Sequence, residues 1–194
     1  MLFTDRFTQA LVFATQLHAR QVRKGGDIPY ISHLLGVASI AIEHGADEDE
    51  AIAALLHDAI EDQGNQTSRA EIEQRFGAKV REIVDGCTDT DIHPKPPWRQ
   101  RKEAYIHHLK TASPSVRLVS MSDKLHNARS ILTDYRAHGE SVWERFTGKK
   151  DGTLWYYRSI VNTLKEIETR SLLQELEHTI AELESLRIPP HAES

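Results

Sequence analysis

Apolar residues recur at spacings of three and four along nearly the whole chain, and nowhere does strict alternation persist long enough for a half-buried strand. The pattern predicts helices throughout. Phe3, Phe7, Ala10, Leu11, Ala14 and Leu17 share one face of a first helix, with Gly25 and Gly26 as its stop. Pro29 turns the chain into a second helix, which Ser32 can cap, Leu34, Leu35, Val37, Ala38, Ile40 and Ala41 fill, and Gly45 ends. Asp47 with Glu50 is a capping-box signal for a helix carrying the run Ala51 to Asp62, and Ser68 with Glu71 is another, for a helix ending at Gly77. A short helix around Val80, Ile83 and Val84 precedes a loop from Asp89 to Trp98, where Pro94, Pro96 and Pro97 fall; this loop is the candidate mobile rim. Beyond it, residues 99–112 read as helix, and Ser113-Pro114 caps another that can run to Gly139. Two more, near 154–169 and 171–187, close the chain. In the last, Leu173, Leu176, Ile180 and Leu183 form a seam about two heptads long; packing on the chain's own core explains it, and a homodimer contact is the alternative.

No repeat, low-complexity tract or linker divides the 194 residues, so one all-α domain, a compact helical bundle spanning 1–194, is expected. With 39% apolar residues the chain can bury a full core and is not disordered. Its apolar runs are far shorter than the ~20 residues of a membrane span, and Asp5 and Arg6 stand where an export signal would be apolar. A single cysteine, Cys87, offers no disulfide framework. These features predict a cytoplasmic protein that does not engage a membrane. A net charge of −5 argues against a nucleic-acid-binding role, so an anionic ligand must meet a local basic patch.

The chemistry concentrates in Leu55-Leu56-His57-Asp58-Ala59-Ile60-Glu61-Asp62, where four ionisable residues interrupt an apolar helix. His57 with Glu61, and Asp58 with Asp62, are each four apart, so the pairs occupy neighbouring faces. Such a set suits metal-assisted hydrolysis, with ligands for a cation and carboxylates to handle protons. Two adjacent side chains cannot complete a metal site. Further ligands are on offer at His33, opening the second helix, and at Asp123, which stands four residues before Asn127. A mixed His and carboxylate set suits manganese or ferrous iron better than a sulfur-rich zinc site does, although zinc also fits.

The order His33, His57-Asp58, Asp123 resembles the metal signature of the HD phosphohydrolase superfamily. The segments 18–25, 29–33, 55–62, 84–89 and 122–127 resemble, in the same order, the hydrolase domain of RelA/SpoT homologues, and the chain is similar to the stand-alone small alarmone hydrolases over residues 3 to 165. The resemblance implies an HD-type bundle in which His33, His57, Asp58 and Asp123 hold one divalent cation, usually manganese, and Glu61 and Asp62 act on water, Glu61 as the base with Asp62 assisting. The implied reaction converts (p)ppGpp to GDP or GTP and pyrophosphate. Arg23 would stack on the base, Lys24 neutralise phosphate and Asn127 contact the nucleotide. Apart from the resemblance, the basic group that includes Arg101 and Lys102 and flanks the proline-rich loop is a candidate to guide the pyrophosphate, with Lys149 as a further candidate. Nothing in the sequence reads the purine, so (p)ppApp, the 2′-phosphate of NADPH, or nucleotide sensing without catalysis are the alternatives. Of the 11 histidines, His18, His44, His93, His107, His108, His126, His138, His178 and His191 receive no metal role, and His126 is read as structural because it points to a different side of the helix from Asn127.

Overall fold

The computed structural model describes residues 3–64, 66–92 and 94–186; His93, Arg187 and His191 lie outside the described residues. Among the described residues, ten α-helices follow in chain order: α1 (Asp5–Leu17), α2 (Ile31–Glu43), α3 (Glu48–Leu56), α4 (Ala59–Gln63), α5 (Arg69–Phe76), α6 (Ala78–Cys87), α7 (Trp98–Leu109), α8 (Pro114–His138), α9 (Lys149–Lys165) and α10 (Ser171–Ser185). A 3₁₀ helix, Gly139–Arg145, joins α8 to α9. Among the described residues there is no strand, and the all-α expectation holds.

α8 is the pillar of the fold. Its Val116 and Val119 belong to an apolar cluster built by α1 to α6, while its Leu118, Met121 and Leu125 belong to a second cluster with α7, α9 and α10. A helix enclosed on so many sides must satisfy its polar groups internally. Ser122 Oγ accordingly donates to the Leu118 carbonyl at 2.9 Å, and Ser120 shares a 2.7 Å hydrogen bond with the Tyr105 hydroxyl. α3 is buried as completely: Ala51 through Leu56 are all 0% exposed, and the three alanines in that run let α1, α2, α6 and α8 pack close to it. The capping box that opens α3 is formed, with Asp47 Oδ1 accepting from Glu50 N–H and Glu50 Oε2 from Asp47 N–H. Ser68 caps α5 and Ser113 caps α8 as expected.

Several boundaries differ from the periodicity; α9, for one, opens at Lys149 and not near 154. α1 stops at Leu17, well before Gly25, because residues 21–30 turn back on themselves through an isolated bridge between Val22 and Pro29. Gly25 sits in that turn with φ +89°. Ser32 is not the cap of α2: Tyr30 occupies that position with helical dihedrals, and Ser32 falls in the first turn. The expected helix through Ala51 to Asp62 breaks at His57-Asp58, where Asp58 adopts φ −97°, ψ 0°. The break aims His57, ending α3, and Asp58, opening α4, toward the same point.

The α10 seam faces the chain's own core. Leu173 is 4% exposed and Leu176, Ile180 and Leu183 are 0%, packed against α8 and α9, so no homodimer is needed to cover them. Leu176→Ala is therefore expected to cost about 2–5 kcal/mol in denaturant unfolding, without altering the size-exclusion elution of the folded protein. A change of oligomeric state would contradict the assignment.

Candidate metal centre

Four side chains from three places in the fold converge. His33 comes from the first turn of α2, His57 and Asp58 from the α3–α4 break, and Asp123 from the middle of α8. His57 Nε2 lies 3.0 Å from Asp58 Oδ2 and 3.7 Å from Asp123 Oδ1; His33 Nε2 lies 3.2 Å from Asp123 Oδ1 and 3.7 Å from Asp58 Oδ2. Both imidazoles are buried, and their rings meet edge to face at 5.2 Å. The ligand atoms of His33, His57 and Asp58 fit within 4.8 Å of one another, as a shared ion requires. His57 Nδ1 donates to the Ala54 carbonyl at 2.9 Å, which fixes the tautomer and leaves Nε2 facing the centre. That Nε2 is buried and without a hydrogen-bond partner. A buried nitrogen with no partner, surrounded by carboxylates, is a site a divalent cation fits.

The electrostatics fit the same occupant. Burial opposes the ionised Asp58 carboxylate, but the adjacent His57 outweighs it and holds the carboxyl below its usual range. Asp123 is buried too, and Lys124 together with the two imidazoles holds it well below the carboxylate range. Burial also disfavours a proton on His57, yet Asp58 and Asp123 outweigh that and push its pKa well above the ordinary histidine value. A cation would take the place of this proton. Adding Mn²⁺ is therefore expected to release protons at pH about 7, and metal affinity to rise with pH while His57 loses its charge. Calorimetric titration in two buffers of different ionisation enthalpy measures this release; its absence would count against His57 as a ligand.

Further side chains brace the two imidazoles and two carboxylates, and of these only Asn127 was singled out from sequence. The Tyr30 hydroxyl donates to Asp58 Oδ2 at 2.5 Å. His18 stacks on Tyr30, and its Nδ1 pairs with Gln21 Oε1 at 2.7 Å. Lys124 Nζ donates to Asp123 Oδ2 at 2.5 Å and Asn127 Nδ2 to Asp123 Oδ1 at 2.5 Å. His126, read from sequence as merely structural, is brought to the centre: its Nδ1 lies 2.9 Å from His33 Nδ1. Part-burial, with His33 and Arg23 nearby, pushes the His126 pKa down to about 4. The signal for it was the spacing to Asp123, because a residue three positions on flanks one side of Asp123 and a residue four on flanks the other.

The centre backs onto a cleft of about 1150 Å³ lined by Tyr30, Glu61, Asp62, Lys124, His126 and Asn127, which are partners or chain neighbours of the four ligands. Eight Lys and Arg side chains line the cleft against three carboxylates, Glu61, Asp62 and Asp134, although the whole chain is acidic. Such a local field favours a polyanion. Glu61 Oε1 accepts from Lys95 Nζ at 2.9 Å, and its Oε2 accepts from Asp89 N–H at 3.3 Å, so the 89–98 rim reaches the acid pair. Gln21 Nε2 donates to Asp62 Oδ2 at 2.7 Å. Desolvation at the cleft wall, reinforced by the charge of Asp58, pushes the Asp62 carboxyl up to about 6.

Arg23 and Lys24 line the cleft, and Arg23 donates to Asn127 Oδ1 at 2.8 Å, which connects it through Asn127 to Asp123. Arg101 and Lys102 also line it, and both pair with Asp89. Lys149 is not brought to the cleft. It opens α9 with φ 49°, is exposed, and its Nζ pairs with Glu144 at 2.5 Å. Arg129 and Arg145, not selected from sequence, line the cleft instead. Trp98 lies at the wall against Gly148 and Gly152, where an added Cβ would come within 2.7 Å and 3.3 Å of its ring.

The HD domain family profile matches residues 10–154. The chain is 41% identical over 126 residues to guanosine-3′,5′-bis(diphosphate) 3′-pyrophosphohydrolase MESH1 of Xenopus tropicalis, covering 63% of this chain and 68% of that one, and 38% identical over the same shares to human MESH1. It is 35% identical over 132 residues to the bifunctional (p)ppGpp synthase/hydrolase SpoT of Escherichia coli, spanning 65% of this chain and 18% of SpoT. Among solved structures, a metazoan orthologue of SpoT described as hydrolysing ppGpp superposes with TM-score 0.79 at 25% identity, over 96% of this chain and 99% of that one. A Listeria monocytogenes protein superposes with TM-score 0.70 at 28% identity, over 78% and 97%. The profile covers most of the chain, and the chain belongs to the HD domain family.

Proposed function

We propose that the chain is a metal-dependent hydrolase that removes the 3′-pyrophosphate of a purine nucleotide alarmone, (p)ppGpp in the first instance, leaving GDP or GTP and pyrophosphate. The observation that carries this reading is the convergence of two imidazoles and two carboxylates beside the Glu61-Asp62 pair, at the inner wall of a cation-lined cleft. The names of the MESH1 and SpoT relatives support the same substrate class.

His33, His57, Asp58 and Asp123 would hold the cation, with manganese the best match to the donor set. When bound, it supplies positive charge to the phosphoryl oxygens and makes water a stronger acid. Glu61 orients the attacking water and takes its proton on a carboxylate oxygen, with Asp62 assisting. The water oxygen bonds to the phosphorus attached to the ribose O3′, the P–O3′ bond breaks, and O3′ ends protonated. Arg23, Lys24, Arg101 and Lys102 offset the phosphate charge, and the Arg23–Asn127–Asp123 chain ties nucleotide recognition to the metal ligands.

The test is product identification with Mn²⁺ from (p)ppGpp, (p)ppApp and NADPH. Pyrophosphate from the guanine nucleotide is the expected result. Pyrophosphate from the adenine nucleotide alone would move the substrate to (p)ppApp, orthophosphate alone would move it to NADPH, and tight binding without turnover would make the chain a sensor.

A further inference from the structure

We infer that His126 is the positioning residue of the metal centre, accepting the Nδ1 proton of His33 so that the Nε2 lone pair of His33 stays aimed at the ion. The inference rests on the four-ligand reading above. Its starting point is the 2.9 Å approach of two Nδ1 atoms, with the ring centroids 4.8 Å apart. Two imidazole nitrogens at that distance bond only if one carries a proton and the other does not. His33 Nε2 faces Asp123 Oδ1 at 3.2 Å and Asp58 Oδ2 at 3.7 Å, the direction of the ion. A nitrogen that ligates must be unprotonated, so neutral His33 holds its proton on Nδ1. His126 Nδ1 is then the acceptor, and the proton of His126 sits on its own Nε2.

The second imidazole ligand shows what this accomplishes. His57 is oriented by a backbone carbonyl, Ala54 O, which no substitution removes. His33 relies instead on a side chain from another helix, so its orientation depends on α2 and α8 staying in register. The sequence makes room for the arrangement. Gly36 lies on α2 three residues after His33, and a Cβ there would fall 2.2 Å from His126 Cδ2 and 2.3 Å from His126 Nε2. Glycine is disfavoured inside a helix, and Gly36 has none of the positive φ angles that would otherwise call for it. Its place is explained by the His126 ring.

The experiment compares wild type, His126→Ala, His126→Asn and Gly36→Ala for Mn²⁺ affinity by competition with a chelator. An asparagine oxygen can stand close to where Nδ1 was, so His126→Asn should bind Mn²⁺ within a few-fold of wild type. Loss of the partner in His126→Ala should weaken binding by about 10–100-fold, and Gly36→Ala should move in the same direction. In turnover assays the manganese concentration giving half-maximal rate should rise for His126→Ala while kcat at saturating manganese stays within a few-fold. A packing role would instead lower the melting temperature of the Ala variant and leave the metal affinity of its folded fraction unchanged. Imidazole ¹⁵N spectra of the zinc-loaded wild type need no variant: His126 should be protonated at Nε2, with Nδ1 accepting. Finding His126 protonated at Nδ1, or Mn²⁺ binding by His126→Ala as tight as wild type, overturns the inference and leaves the four-ligand reading standing. A wild type that binds no metal overturns that reading, and this inference with it.

Discussion

Asp58→Ala is expected to abolish both manganese retention and hydrolysis. Asp58 is one of two carboxylates in the proposed ligand set, and its Oδ2 reaches His57 Nε2 at 3.0 Å and His33 Nε2 at 3.7 Å while accepting the Tyr30 hydroxyl at 2.5 Å. Truncation removes a ligand and its charge together, so the loss of affinity should exceed the about 10–100-fold that outer partners of metal ligands typically carry. Equilibrium dialysis with metal analysis measures retention. Thermal unfolding gives a second readout, because an ion at 100 times its Kd stabilises the folded state by about 2.7 kcal/mol; wild type should gain this and the variant should not. Asp58→Asn separates charge from shape, since its amide oxygen can still accept from Tyr30. An Ala variant that keeps its metal and turns over substrate would remove Asp58 from the site.

Glu61→Gln should lower kcat by about 10²–10⁴-fold while metal content, nucleotide KM and melting temperature stay near wild type. The amide preserves size and can still accept from Lys95 or the Asp89 N–H, but it cannot take a proton from water. The expected signature is therefore a fall in kcat alone. Full activity in Glu61→Gln would shift the base to Asp62, whose carboxyl already stands near 6, and Asp62→Asn would then carry the loss.

The helical architecture was legible because three-and-four periodicity reports buried faces wherever a helix has one wet side, as in α1, α2 and α10. It was misleading where burial is nearly complete. The run Ala51 to Leu56 has no polar face to mark its turns, and the break at His57-Asp58 carries no glycine or proline. The stretch His57 to Asp62 stood out because four ionisable residues interrupt an apolar run, whereas His33, Asp123 and the proposed roles of all six came from the family resemblance. Tyr30 and Lys124 were missed because each looks ordinary beside its neighbours; their roles come from distances to Asp58 and Asp123 that no linear spacing encodes. Lys149 shows the reverse error. It stands near cleft residues in sequence, but the start of α9 turns it toward Glu144. Arg145, closing the 3₁₀ helix that periodicity did not anticipate, lines the cleft and pairs with Asp134 at 2.6 Å.

The three tryptophans are unequally placed. Trp143 is enclosed beside Tyr135 and Phe146, and Trp155 is covered by the Arg99 guanidinium, whereas Trp98 rests on two glycines with its ring at the cleft wall. Trp98 also meets Trp155 edge to face at 6.2 Å, so these two indoles report together on whatever enters, while Trp143 gives a steady fluorescence background. Nucleotide occupancy can be followed by intrinsic emission in the unlabelled protein.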